Sequence, residues 1–194
     1  MCIRDRVGTD LHIMFPLISS VDDFVEARAV VQECQQELTK EGQPHLAQPK
    51  LGAMIELPSA VEVADELAEE ADFLSIGGND LVQYMLAVDR TNEHISDLYV
   101  THHPAVLRAL NRVVEAARRH QKSVSFCGEM AADATMLPFL IGIGVRTISV
   151  EARQIPRLQN LIGQLDASQA KVQAGKLLRM GKISEVAAAL NIKA

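Results

Sequence analysis

Ser75-Ile-Gly-Gly-Asn-Asp-Leu-Val-Gln-Tyr-Met-Leu-Ala-Val-Asp-Arg90 is the stretch that decides the fold. The apolar run Phe73 to Ile76 reads as a short buried strand, and Gly77-Gly78 then release the backbone. Leu81 begins a helical segment that ends near Arg90. Between strand and helix, Asn79 and Asp80 present an amide and a carboxylate. In parallel α/β folds, ligands sit beyond the carboxyl ends of the strands, where the βα loops converge.

Upstream, Leu51 to Leu57 (Leu-Gly-Ala-Met-Ile-Glu-Leu) is a second apolar run, and Pro58 fits the first turn of a helix reaching about Ala68. Earlier still, Leu11 to Ile18 reads as a buried strand. Ser20 with Asp23 three residues on marks a helix start. Phe24, Ala27, Val31, Cys34 and Leu38 then recur at helical spacing until Gly42, which makes Cys34 a core thiol. Downstream, residues 94–103 are irregular. Pro104 opens an amphipathic helix with Leu107, Leu110, Val113, Val114 and Ala117 inward. Ser123 to Phe126 is a strand ending at Cys127-Gly128-Glu129, followed by a helix from about Asp133 to Ile141 that Gly142 and Gly144 break. Thr147 to Val150 is a last strand, with a helix around Pro156 to Leu165. The tail from Asp166 reads as two short helices divided at Gly181. Strands alternating with helices predict an α/β domain with a parallel sheet. No Gly-rich dinucleotide or Walker fingerprint follows a strand, which favours part of a (β/α)8 barrel over a doubly wound sheet. A full barrel needs about 250 residues, more than the 194 present.

Composition narrows the function classes. A formal net charge of −6 leaves no basic patch for nucleic acid. Arg118-Arg119-His120 reads as a solvated helix end. No apolar run approaches the ~20 residues of a membrane span, and no secretory signal pattern opens the chain. The 3 cysteines are too scattered for a disulfide framework or a zinc site, which fits a reducing cytoplasm. Met1 to Arg6 match nothing that follows, so residues 1–10 are expected to be a non-native or disordered leader, and Cys2 carries no functional weight.

Reactive groups stand at three strand ends: Glu56, Asn79-Asp80 and Cys127. On parallel neighbouring strands they would meet on one rim. Two carboxylates facing a common point suit Mg²⁺, which takes one or two carboxylates plus substrate oxygens and water. Each group also has a plainer reading. Glu56 and Asp80 can be helix-terminal acids. Arg90 can be a surface arginine paired with Asp89 or Glu93, or a bidentate ligand for a carboxylate or phosphate. Cys127 can be a buried thiol, or an acid, nucleophile or redox sensor at the rim. His102-His103 precede a helix-starting proline and read as loop.

Four motifs occur in order along the chain: Ile13-Met-Phe-Pro-Leu17, Gly52-Ala-Met-Ile-Glu-Leu-Pro58, Ser75 to Arg90, and Cys127-Gly-Glu-Met130. Together, over about Leu11 to Leu165, they resemble the phosphoenolpyruvate-binding barrel of Enzyme I of the bacterial sugar phosphotransferase system. Leu98-Tyr99 and His103-Pro-Ala-Val-Leu107 are closer to its nitrogen-type paralogue. The resemblance implies that Glu56 and Asp80 hold Mg²⁺ and that Asn79 and Asp80 lie against the substrate phosphate. It further implies that Arg90 clamps the substrate and that Cys127 delivers a proton to the enolate. The implied reaction moves a phosphoryl group from phosphoenolpyruvate to a histidine on an N-terminal domain and on to the histidine phosphocarrier protein, releasing pyruvate. Dimerisation through the barrel is implied as well. Gly78 departs from the family, which usually has threonine there, and is expected to alter a local hydrogen bond. The five strands would be the fourth to eighth of the family barrel, leaving out three units whose arginines grip the phosphate and the histidine domain itself. Residues 11–194 would then form a partial barrel with a helical tail, inactive alone. The alternatives are the related barrel of pyruvate phosphate dikinase or phosphoenolpyruvate synthase, and a non-catalytic dimerisation or binding module.

Overall fold

Successive side chains on a strand point to opposite faces, and this alternation organises the molecule. A computed structural model of the chain describes residues 10–192. The leader expected over residues 1–10 falls, apart from Asp10, outside the described residues, as does Cys2. The strands are β1 (His12–Phe15), β2 (Lys50–Ile55), β3 (Phe73–Gly77), β4 (Ser123–Cys127) and β5 (Thr147–Ser149). They form one parallel sheet in the order β1-β2-β3-β4-β5. Leu51, Ala53, Ile55, Leu74, Ile76 and Phe126 share one face and are buried in the core with the helices. Met54, Ser75, Gly77, Ser125 and Cys127 alternate with them on the other face. The strand order never reverses, so the sheet lacks the switch point at which doubly wound folds bind ligands. Any site must lie along the strand ends.

The helices are α1 (Val21–Lys40), α2 (Pro58–Glu62), α3 (Ala64–Glu70), α4 (Gly78–Leu86), α5 (Pro104–Arg119), α6 (Leu137–Ile143), α7 (Ile155–Gly163), α8 (Ala167–Leu177) and α9 (Ile183–Ala189). The Ser20–Asp23 capping box opens α1 as expected. On the α1 stripe Phe24 and Leu38 are buried, whereas Cys34 is only partly covered. The five expected inward residues of α5 are all buried. Arg118 and Arg119 end α5 in surface pairs with Glu115 and Asp65.

Several boundaries differ from expectation. The helix expected to run from Pro58 to Ala68 breaks at the β-branched Val63 (φ −106°, ψ 26°). The helix expected from Asp133 starts at Leu137, because the Asp133 carboxylate accepts the Thr135 N–H at 2.8 Å and holds a turn. Gly142 does not break that helix. It lets α8 approach, since a Cβ there would stand 2.3 Å from the Ala170 carbonyl oxygen. Gly144, at φ +115°, ends it. The tail belongs to the same body: Arg108 of α5 donates to the carbonyls of Leu178 and Met180, and Val186 of α9 is buried. Among the described residues no helix is long and apolar enough to cross a membrane.

Candidate active site

Parallel pairing of β2, β3 and β4 carries three reactive positions to one end of the sheet. Ile55 lies opposite Ile76, and Gly77 opposite Cys127, so Glu56, Asn79-Asp80 and Cys127 leave adjacent strands side by side. Glu56 is only 4% exposed. Its Oε1 accepts the N–H of Leu17 at 2.7 Å, which ties the loop after β1 into the rim. The glycines between β3 and α4 make room for this. A Cβ at Gly77 would lie 2.7 Å from Glu56 Oε2, and one at Gly78 would lie 2.3 Å from the Phe126 ring. The Phe126 ring therefore occupies the space a side chain at position 78 would need, so Gly78 serves packing.

Helix α4 starts at Gly78 rather than Leu81, so Asn79 and Asp80 sit in its first turn. A carboxylate is favoured there by the helix dipole, but no side chain caps this helix end. The Asn79 Oδ1 accepts the N–H of Glu129 at 2.9 Å, and its carbonyl accepts the Tyr99 hydroxyl at 3.3 Å. Burial raises the Tyr99 pKa, with Arg90 opposing and Glu129 and Asp80 adding to the shift, which places these groups in one electrostatic neighbourhood.

Cys127 ends β4 half-buried, with Sγ 3.5 Å from the Ile76 carbonyl oxygen. Burial pushes its thiol pKa up, and the negative charges of Glu56 and Asp80 push it further; a hydrogen bond from Ser75 opposes them. The group is therefore a protonated thiol at neutral pH. Ser75, 4% exposed, pairs with the Ser125 hydroxyl at 3.0 Å below it.

Arg90 lies beyond the end of α4, which closes at Ala87 in a left-handed turn (φ 52°). Its partner is neither Asp89 nor Glu93 but Glu129, with Nη1 3.1 Å from Oε1. Asp89 instead accepts the N–H and hydroxyl of Thr91. Arg90, Asn79, Cys127, Gly128 and Glu129 line an open cleft of about 400 Å³ together with Ser149, Val150, Glu151 and Gln154. Glu56 and Asp80 do not line this cleft; they flank it beside Cys127. His103 caps α5, its Nδ1 accepting the Ala105 N–H at 3.1 Å, as a loop histidine.

The donor set around Cys127 fits a hard divalent cation in one respect: Glu56 and Asp80 are oxygen donors from adjacent strand ends, both close enough to act on one thiol. Among the described residues no group of three or more His, Cys, Asp or Glu side chains stands ready to hold a metal. A cation here needs oxygens from substrate and water, the way Mg²⁺ is usually bound. Glu129 and Tyr99 carried no role in the sequence reading. The signal available for Glu129 was its place two residues after Cys127, in the same loop; Tyr99 offered none.

The sequence matches the family described as "PEP-utilising enzyme, PEP-binding domain" over residues 2–167. The chain belongs to that family. Its match begins within the stretch read as a leader. Curated relatives of this PEP-binding domain include the phosphoenolpyruvate-protein phosphotransferases of Mycoplasma capricolum and Bacillus subtilis. The first is 42% identical over 176 residues, covering 91% of this chain and 31% of the relative. The second is 42% identical over 186 residues, covering 96% and 33%. The chain thus spans about a third of the length of the relatives it matches. Among solved structures, a citrate lyase from Burkholderia xenovorans superposes with a TM-score of 0.58 at 18% identity, covering 93% of this chain and 61% of that one. Protein CitE from Mycobacterium tuberculosis, in complex with magnesium and acetate, superposes at 0.53 and 14% identity, covering 83% and 63%. At such identities the likeness establishes the α/β fold of the PEP-binding domain alone.

Proposed function

We propose that this PEP-binding domain is the substrate-binding part of a phosphoenolpyruvate-protein phosphotransferase. Its five strands correspond to the fourth to eighth of a (β/α)8 barrel. The observation that carries the reading is the convergence of Glu56, Asn79-Asp80 and Cys127 on adjacent parallel strand ends, beside a cleft that Arg90 overhangs.

Phosphoryl transfer needs alignment and charge neutralisation more than covalent help from the protein. Mg²⁺ held by Glu56 and Asp80 supplies part of that neutralisation when bound. Asn79 donates to a phosphate oxygen, and the Arg90 guanidinium, with five N–H donors in a planar fork, clamps the anion. The bond between phosphorus and the enol oxygen breaks as phosphorus joins a histidine nitrogen. The enolate left behind takes the Cys127 Sγ proton at its methylene carbon and leaves as pyruvate, and the thiolate is reprotonated from solvent. A thiol whose pKa is raised first by burial holds that proton until the enolate forms. The acceptor histidine, the histidine phosphocarrier protein it serves and a homodimeric assembly belong to the same proposal, as does a cytoplasmic setting.

The test is a chimera in which residues 11–194 replace the matching third of the Bacillus subtilis relative, assayed with phosphoenolpyruvate and Mg²⁺. Phosphohistidine formation coupled to pyruvate release and to phosphorylation of the carrier protein is expected. Phosphorylation of a nucleotide instead would mean a dikinase-type barrel, and no transfer from a folded chimera would mean a binding module. Residues 1–194 mixed with a separate histidine domain are expected to give no phosphohistidine, for want of the remaining phosphate-gripping arginines.

A further inference from the structure

The Gly128-Glu129 step touches both side chains proposed to grip the phosphate. The Glu129 N–H donates to Asn79 Oδ1 at 2.9 Å, and the Glu129 carboxylate accepts from Arg90 Nη1 at 3.1 Å. The first contact fixes the sense of the Asn79 amide. Asparagine has one carbonyl acceptor and one NH2 donor group, and the hydrogen-bond network decides which faces where. With the carbonyl oxygen turned to the Glu129 N–H, the NH2 is left free in the cleft that Asn79 lines. That is the polarity an anionic oxygen requires. The approach depends on Gly128, whose φ of +131° is a conformation side-chain-bearing residues rarely adopt. A Cβ at Gly128 would stand 2.9 Å from Asn79 Oδ1 and 3.2 Å from Asn79 N.

The second contact governs Arg90. No helix holds this arginine, because α4 ends at Leu86. Among the described residues its backbone N–H reaches Gln83 Oε1 alone, at 3.4 Å. Among the described residues, Glu129 is the acid within ion-pair distance of it. The contact uses one Nη1, so the rest of the guanidinium fork remains free for a ligand.

We propose that Gly128-Glu129 is the positioning element of the site. The Glu129 carboxylate holds Arg90 over the cleft, and the Glu129 N–H turns the Asn79 amide to donate into it. The inference rests on reading the cleft as a phosphoenolpyruvate site and adds residues that touch no reacting atom.

The test uses the chimera carrying residues 11–194, its acceptor histidine replaced by alanine to prevent turnover, with Mg²⁺, phosphoenolpyruvate titrated by ³¹P NMR, and the Arg90 Nε–H signal followed by ¹⁵N NMR without ligand. Glu129→Gln keeps the backbone donor and removes the charge. It is expected to leave thermal unfolding unchanged, speed exchange of the Arg90 Nε–H, and weaken phosphoenolpyruvate binding about threefold to fivefold, the scale of an exposed pair. The difference should fade in 1 M salt, where such pairs are screened. It should also vanish in an Arg90→Ala background, because the effect runs through Arg90. Asn79→Asp keeps an oxygen for the Glu129 N–H but loses the donor, and should weaken binding about tenfold or more. Tighter binding in Glu129→Gln would make Glu129 a competitor for Arg90 and overturn the proposal, as would the same loss with and without Arg90. An unsubstituted chimera that holds the Arg90 signal yet binds no phosphoenolpyruvate overturns the functional reading and the positioning role with it. Phosphoenolpyruvate bound but indifferent to Glu129 overturns the positioning role alone.

Discussion

At the scale of single residues, the proposed proton delivery depends on the state of Cys127, and its environment sets that state. Burial comes first and the charges of Glu56 and Asp80 second, and both favour the neutral thiol. The sign is therefore definite. The thiol stays protonated through neutral pH and loses its proton only above the ordinary thiol value of about 8.5. Alkylation by iodoacetamide should be slow at pH 7 and accelerate only at distinctly alkaline pH. Mg²⁺ offsets the two carboxylates, and Glu56→Gln removes one of them, so either change should shift the alkylation profile to lower pH. A profile unmoved by both would separate Cys127 from the carboxylates. In the chimeric enzyme, Cys127→Ala should abolish pyruvate release while leaving Mg²⁺ and phosphoenolpyruvate binding near normal. Loss of binding in equilibrium titrations would instead mark a structural cysteine.

At the scale of elements, the junction of β3 and α4 depends on two small residues. Phe126 lies across Gly78, so Gly78→Thr should overpack the contact, at a cost of about 1–3 kcal/mol read from urea unfolding. Phe126→Leu should recover part of that cost in the double variant, and additive losses would show that the ring and the glycine are not coupled. The strands were legible because parallel strands buried against helices read as short apolar runs, and Leu51, Leu74 and Phe126 each lie on such a run. Their ends could be read too, since glycines and polar groups interrupt each run, and the convergence of Glu56, Asp80 and Cys127 followed from alternation alone. Helix starts were less legible. Gly78 reads locally as a breaker but is accommodated by a ring 48 positions away in the chain, and Gly142 is kept small by contact with α8. The part proposed for Glu129 was less legible for a similar reason. A single acid in a loop has no pattern, and its partners Asn79 and Arg90 lie 50 and 39 residues earlier.

At the scale of the whole molecule, the two faces of the sheet are covered unequally among the described residues. The helices cover the side bearing Ile55, Ile76 and Phe126, whereas Met14 on β1 and Leu17 just after it are 37% and 60% exposed. A strand edge and apolar groups left facing water are an association hazard. Residues 1–194 alone should sediment as a concentration-dependent mixture, and a monodisperse monomer across the accessible range would contradict the partial-barrel reading. The proposed mechanism requires the ends of β2 and β3 to hold one divalent cation against the substrate. The direct measurement is the paramagnetic effect of Mn²⁺, substituted for Mg²⁺, on the ³¹P relaxation of phosphoenolpyruvate bound to the chimera with its acceptor histidine replaced by alanine. Strong relaxation enhancement is expected, and it should be lost in both Glu56→Gln and Asp80→Asn, with the fold intact by circular dichroism. Enhancement that survives either substitution, or that is absent from the otherwise unsubstituted chimera, would overturn that mechanism.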